Sequence, residues 1–223
     1  MAMRVFSVTP EQKGSNTVLA NSLYDSVVDW TEFYCSNTSS IAKRYNEFID
    51  RFPDDHDDDI YVFVHDDVRI NCSDWTERVI SAVDVYDVVG LAGIRRCQLK
   101  EPALWHLMGS RDDYRGAVAH PVTNKDKDSN YMITSFGPMP DRVTLIDGVF
   151  IATTRKVLNE VRFSEDNPAR FHYYDLDFCL GCNKKGFTVG VWDIPIIHMS
   201  HGLSETSGEF EKGQEWFLNK WTK

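Results

Sequence analysis

The chain has 223 residues, 42% of them hydrophobic, and a formal net charge of −10. That length fits one α/β domain with insertions and supports a sizeable core. The acid excess and the lack of a basic tract argue against gripping duplex DNA through a broad positive surface, though a local basic patch is compatible with them. The opening MAMRVFSVTP has no long apolar stretch and no window approaches a membrane span, so a soluble, cytoplasmic protein is expected.

Arg4–Val8 reads as a first strand, left through Thr9-Pro10. Residues 15–30 place Val18, Leu19, Leu23, Val27 and Val28 at helical spacing, with Ser15 or Asn16 as cap. Thr31–Cys35 reads as a second strand ending in a polar loop. Ile41–Phe52 reads as a helix with Ile41, Tyr45, Phe48, Ile49 and Phe52 on one face. Pro53 stops it, and the acids from Asp54 to Asp59 read as a solvated loop. Ile60–Val64 is a third strand, apolar throughout and therefore buried on both faces. The resulting β-α-β-α-β pattern predicts a parallel sheet with right-handed crossovers.

That third strand ends in His65-Asp66-Asp67. Burying ionised groups is costly unless something pairs with them, and ligands of open α/β sheets sit at the carboxyl ends of the strands. Asp66 and Asp67 are therefore placed at a cleft, facing a cation that carries a phosphorylated ligand. A solvated loop explains the same acids equally well when they are taken alone. No glycine-rich dinucleotide fingerprint or phosphate loop accompanies the first three strands.

Further on, Asp74–Tyr86 reads as a helix and Asp87–Gly93 as a strand. Residues 95–142 are broken by Gly and Pro and read as short strands and loops over the cleft, with a polar, mobile turn at 124–130. Val143–Thr153 reads as one strand with Asp147-Gly148 in its middle, where a glycine permits close approach to a ligand. Arg155–Val161 is a short helix. Phe171–Lys185 is another, with acids in its first turns, as the helix dipole favours. Two acids, a His and two Tyr within residues 172–177 exceed what a cap needs. Phe187–Trp192 and Ile194–His201 are the last strands, and 204–223 is a helical tail carrying Trp216 and Trp221. Five cysteines at irregular spacing argue against a disulfide framework. Cys179-x-x-Cys182 lacks a partner pair at zinc-site spacing and reads as a structural thiol pair.

FVHDDV after the third strand, LIDGVFIATTRKVL, and FHYYDLDFCLGCNKKGFTVGVWDIPIIHMSHG together resemble inverting family-2-type glycosyltransferases, most closely the StrF-type domain of streptomycin biosynthesis. The likeness runs from about residue 34 to 221 and is densest at 60–68 and 145–202. It implies a GT-A-like (Rossmann-like) α/β fold with a mixed, mostly parallel sheet flanked by helices. It also implies one domain, with a nucleotide-binding half at 1–93, an acceptor and catalytic half at 94–203, and the tail. The family's Asp-x-Asp motif corresponds here to His65-Asp66-Asp67. This puts Asp67 in the metal position, with Mn²⁺ or Mg²⁺ as cofactor, and His65 where the first Asp stands. His198 matches a late metal-binding His, with His201 as the other choice. A core histidine also explains His198.

The segment Tyr174–Asp177 matches the family's Glu-Asp-x-Asp stretch, with Tyr in place of Glu. It implies Asp175 as the general base, with Asp177 more structural. A helix cap also explains Asp175. Donor contacts are implied at Asn37, Lys43, Asn46, Asp66, Asp147 and Gly148, and acceptor contacts at Trp105 and His172. For Trp105, simple packing is the commoner explanation.

The leading expectation is thus an inverting, metal-dependent transfer of a sugar from a nucleotide diphosphate donor to a hydroxyl. The acceptor is a polysaccharide, a small molecule or a hydroxylated base in phage DNA, and the setting is a bacterial cell or a phage-infected host. The alternative is a non-catalytic nucleotide-sugar-binding protein on the same fold. A nucleotidyltransferase needs a glycine-rich, basic phosphate loop that RVFSVTP lacks.

Overall fold

The computed structural model describes residues 1–9, 17–23, 26–34, 39–122, 130–199 and 208–223. Its main sheet has seven strands: β1 (Met3–Val8), β2 (Trp30–Tyr34), β3 (Ile60–Val64), β5 (Val88–Gly90), β9 (Asp141–Val143), β11 (Phe150–Thr154) and β12 (Val189–Val191). The spatial order is β2-β1-β3-β11-β5-β12-β9. Pairing is parallel in β2-β1-β3 and between β5 and β12, whereas β11 and β9 run antiparallel to their neighbours. The expected mixed, mostly parallel sheet is therefore present. All five residues of β3 are buried, as its unbroken apolar run requires.

A second sheet has the order β10-β6-β7-β13-β4, with β8 on β7. It comprises β4 (Val68–Ile70), β6 (Ala92–Ile94), β7 (Tyr114–Pro121), β8 (Tyr131–Gly137), β10 (Leu145–Ile146) and β13 (Ile196–His198). The chain steps repeatedly from one sheet to the other: β3 to β4, β5 to β6, β9 to β10, β10 to β11 and β12 to β13. Two of these steps carry chemistry-bearing residues, His65-Asp66-Asp67 between β3 and β4 and Asp147-Gly148 between β10 and β11.

Helices α1 (Val18–Ser22), α2 (Ile41–Asp50), α3 (Trp75–Val83), α4 (Arg155–Glu160), α5 (Tyr174–Lys184) and α6 (Glu209–Trp221) accompany the sheets. The apolar stripe of α2 packs on β1, with Phe48 stacked on Phe6 at 4.3 Å between ring centres. Phe163 stacks on Phe178 of α5 at 4.4 Å and meets Tyr45 edge-on, so one aromatic cluster joins α2, β3 and α5. No helix among the described residues is long and apolar enough to cross a membrane.

Several boundaries differ from the sequence expectation for identifiable reasons. The helix expected over 15–30 is short: the Thr17 hydroxyl caps it by accepting from Ala20 N, while Ser15 and Asn16 lie outside the described residues. The helix ends at Ser22, and further on Asp29 pairs with Met3 through both its backbone N–H and its carboxylate, next to the start of β2 beside β1. The single strands expected at 87–93 and 143–153 are each broken where the chain changes sheet. At the first break the Leu91 carbonyl accepts from Ala117 N, and at the second the Asp147 carboxylate accepts from Val149 N to form a turn.

The region expected as short strands and loops at 95–142 holds a long hairpin, β7–β8, with a bulge at Gly116, whose φ of 92° suits glycine. All of the expected 124–130 turn except Asn130 lies outside the described residues. The acidic loop is not wholly solvated. Asp55 takes a two-pronged bond from Arg4 and a bond from Tyr61 Oη, and the Arg4 hydrogen bond holds its carboxyl below the usual range. Asp59 is buried and accepts from the backbone N–H groups of Ala2 and His56. Cys179 and Cys182 are buried free thiols, and burial raises both above the usual thiol range.

Candidate active site

At the end of β3 the His65 backbone N–H donates to Val149 O, and Val68 N closes a turn onto His65 O. This turn is followed by β4, which pairs antiparallel with β13 so that Val68 stands opposite His198. Met199 N then bonds Asp67 O. The register brings His198 Nε2 to 3.3 Å from Asp67 Oδ1. His65 completes a trio: one ligand atom from each of His65, Asp67 and His198 lies within 4.8 Å of the others.

Burial, reinforced by the charge of His198, lowers the His65 imidazolium and favours the neutral, metal-binding ring. Burial acts to raise the Asp67 carboxyl, but the hydrogen bond to His198 and its charge outweigh that and hold it below the usual range. Two imidazoles and an ionised carboxylate form a donor set that fits a divalent cation.

A second group is built by α5. Its first turn follows Tyr173, which adopts a left-handed conformation at φ 65°. The Asp175 carboxylate accepts from Gly148 N at 2.8 Å and from Leu176 N at 2.9 Å. Burial and then the charge of Asp147 raise its pKa to about 7, against the pull of those backbone donors. Gly148 has no room for a side chain: a Cβ there stands 2.3 Å from Tyr174 Oη. Asp147 is itself fixed, accepting from Trp105 Nε1 and Val149 N at 3.0 Å each. Burial above all raises the Tyr174 phenol well beyond its usual range, so it stays protonated.

Both groups open on one cavity of about 520 Å³, lined by His65, His198, Asp147, Gly148, Asp175, Trp105, His172 and Phe210, among others. Six residues expected at the site therefore line it: Asp175, His198, Asp147, Gly148, Trp105 and His172. Asp67 joins through His198. The rest fall elsewhere. Asp66 is half-buried, with its carbonyl accepting from Leu19 N. Lys43 is exposed in the first turn of α2. Asn46 is buried and its amide ties α2 to the backbone of Phe163 and to Glu165, which is a packing role. Asn37 and His201 lie outside the described residues. Asp177 faces away from the cavity lining and accepts from Ser164, Lys220 and Trp221.

Sequence reasoning placed His65 and Tyr174 within the family's motifs without giving either a ligand or catalytic role, and it did not single out Phe210. His65 and Asp67 stand two apart around a strand end, a spacing that could have flagged them as a pair. Phe210 reaches the cavity from α6 by tertiary packing, and no local signal marks it.

No curated protein sequence matches the chain. Among solved structures, A197 from STIV is 15% identical, with 93% of this chain and 98% of that one covered at a TM-score of 0.49. GalNAc-T7, solved with UDP, GalNAc and Mn²⁺, is 10% identical at a TM-score of 0.60, with 99% of this chain covered. This chain spans about half (48%) of that protein's length, and the likeness shows a shared GT-A-like fold. The profile of a glycosyltransferase-like family matches residues 27–221, which is most of the sequence. The chain belongs to that glycosyltransferase-like family and is a glycosyltransferase with a GT-A-like fold.

Proposed function

We propose that the protein transfers a sugar from a nucleotide diphosphate donor to an acceptor hydroxyl, with inversion at the anomeric carbon and dependence on a divalent cation. The observation that supports this best is that one cavity is lined both by a carboxyl raised to about 7 and by two imidazoles of a His-Asp-His trio. A carboxylate with a pKa near working pH is suited to general-base catalysis.

In this reading Asp175 accepts the acceptor hydroxyl's proton as that oxygen bonds to the anomeric carbon. The bond from that carbon to the diphosphate breaks on the opposite face, and the nucleoside diphosphate leaves with the electron pair. The Gly148 N–H holds the Asp175 carboxylate in place, and Asp147, fixed by Trp105, borders the donor sugar. Bound Mn²⁺ or Mg²⁺, held by His65, Asp67 and His198, supplies positive charge against the diphosphate. GalNAc-T7, which shares the fold, was solved with UDP, a sugar and Mn²⁺, in keeping with such a donor by analogy.

Trp105, His172 and Phe210 form the acceptor side in this reading. The lining contains neither Lys nor Arg among the described residues. That favours an uncharged glycan or small molecule over a base within phosphate-rich DNA. A cytoplasmic enzyme closest to the StrF-type subgroup completes the proposal.

The test is a panel of nucleotide sugars incubated with candidate acceptors in Mn²⁺ or in EDTA, with the product anomer read by proton NMR. Metal-dependent release of nucleoside diphosphate with an inverted product is expected. A retained anomeric configuration rules out the inverting assignment, and turnover undiminished by EDTA rules out the metal.

A further inference from the structure

Tyr174 is the first residue of α5, and its side chain points away from solvent. Its hydroxyl lies beside the Tyr45 phenol and makes two closer polar contacts. Tyr174 Oη donates to the Gly148 carbonyl at 2.9 Å and lies 2.9 Å from His65 Nε2. A phenol has one hydrogen. With that hydrogen on the Gly148 carbonyl, the hydroxyl can only accept from the ring, so Nε2 carries the imidazole hydrogen. A neutral imidazole with its hydrogen on Nε2 has its lone pair on Nδ1. The chain Gly148 O, Tyr174 Oη, His65 Nε2 therefore fixes both the orientation and the tautomer of this ring.

The anchor at the far end of this chain is rigid. Gly148 N is held by the Asp175 carboxylate, and the neighbouring Asp147 is tied to Trp105 and Val149. The His65 backbone is pinned by Val149 O. We propose that Tyr174 is a positioning residue for the metal site: it holds His65 as the Nε2–H tautomer, which leaves Nδ1 as the atom that would bind a divalent cation alongside Asp67 and His198. This rests on the metal-dependent reading above. It goes further in assigning a ligand atom and a residue that acts on the cation only through another. Partners of this kind orient metal-bound imidazoles and typically change affinity by about 10- to 100-fold when removed.

Tyr174→Phe deletes only the hydroxyl. In the full chain, Mn²⁺ affinity is measured by electron paramagnetic resonance titration with the metal alone, and the His65 tautomer in the metal-free protein by two-bond ¹⁵N–¹H correlation. The wild type is expected to show the Nε2–H form, and Tyr174→Phe a mixed population with Mn²⁺ bound about 10- to 100-fold more weakly. His65→Ala also weakens binding, and adding Tyr174→Phe to it brings little further loss, because the hydroxyl acts only through His65. That pairing separates positioning from general damage to the fold, which would weaken binding in the His65→Ala background as well. Wild-type Mn²⁺ affinity in a folded Tyr174→Phe, or a wild-type His65 carrying its hydrogen on Nδ1, overturns this inference alone. A wild type that takes up no Mn²⁺ overturns the metal reading and this inference together.

Discussion

His198 Nε2 lies 3.3 Å from Asp67 Oδ1, and nothing local in the chain brings them together. The antiparallel pairing of β13 with β4 does so, with Val68 opposite His198. If this contact marks a cation site, removing the charge of Asp67 while keeping its size should weaken the site. Asp67→Asn is expected to lower Mn²⁺ affinity at least tenfold, about 1.4 kcal/mol, by titration calorimetry. Unchanged affinity in a folded variant removes Asp67 from the ligand set.

Asp175 supplies a prediction with a defined pH dependence. Its carboxyl is raised to about 7 by burial and by Asp147, so it is largely protonated below that value and a competent base above it. Turnover is expected to rise through about pH 7 and then level off. Asp175→Asn should lose at least about 100-fold in kcat, in line with the loss of a general base, while nucleotide affinity is kept. Retention of more than about a tenth of the activity would place the base elsewhere.

The same shift has a consequence for stability. The folded chain holds the Asp175 proton more tightly than the unfolded chain, where a carboxyl titrates near its ordinary value. The folded state therefore binds more protons between those two values, and stability falls as pH rises from about 4 to about 7. In metal-free protein, Asp175→Asn should flatten the decline in melting temperature over that window. An unaltered slope means that Asp175 titrates as an ordinary carboxyl.

The charge of Asp147 acts on Asp175 and contributes to the raised value after burial itself. Asp147→Asn keeps an oxygen for Trp105 Nε1 while removing that charge. The rising limb of the pH–rate profile should move to lower pH, since one of the two influences holding the proton is gone. A limb that stays in place would mean that burial alone sets the value.

Much of this site could be read from the sequence, because its residues end elements whose patterns are strong. β3 is an unbroken apolar run that stops at His65, and α5 begins with a dense cluster of polar and aromatic residues. The sheet changes were less legible. Residues 87–93 and 143–153 are largely apolar, and no local signal marks Leu91 as a break, because the strand that takes its carbonyl is distant in sequence; Asp147-Gly148 is a turn-forming pair that could have marked the second break. The two positions where this chain departs from the pattern it resembles, His65 and Tyr174, turn out to be in contact. Each looks like an isolated weakness of the motif until the fold places them together. Asn46 shows the opposite: its amide bonds hold α2 to Phe163 and Glu165, partners that no local pattern reveals.

Asp177 tests whether the acids of α5 divide into a chemical and a structural member. It is buried, and its carboxylate accepts from Ser164 Oγ at 2.5 Å, Lys220 Nζ at 2.7 Å and Trp221 Nε1 at 2.8 Å. Two of those donors belong to α6 or its end, so Asp177 is the point at which the last helix is moored to α5. The same helix delivers Phe210 to the cavity. Truncation leaves three donors without their shared acceptor, and a buried acceptor lost from such a network typically costs about 2–4 kcal/mol. Asp177→Ala should therefore lower the melting temperature and raise amide exchange along Glu209–Trp221 ahead of β3, while the pH position of the activity limb stays near 7, because Asp175 keeps its burial and its neighbour Asp147. Loss of turnover with no change in stability or in α6 exchange would reverse the division and make Asp177 the base.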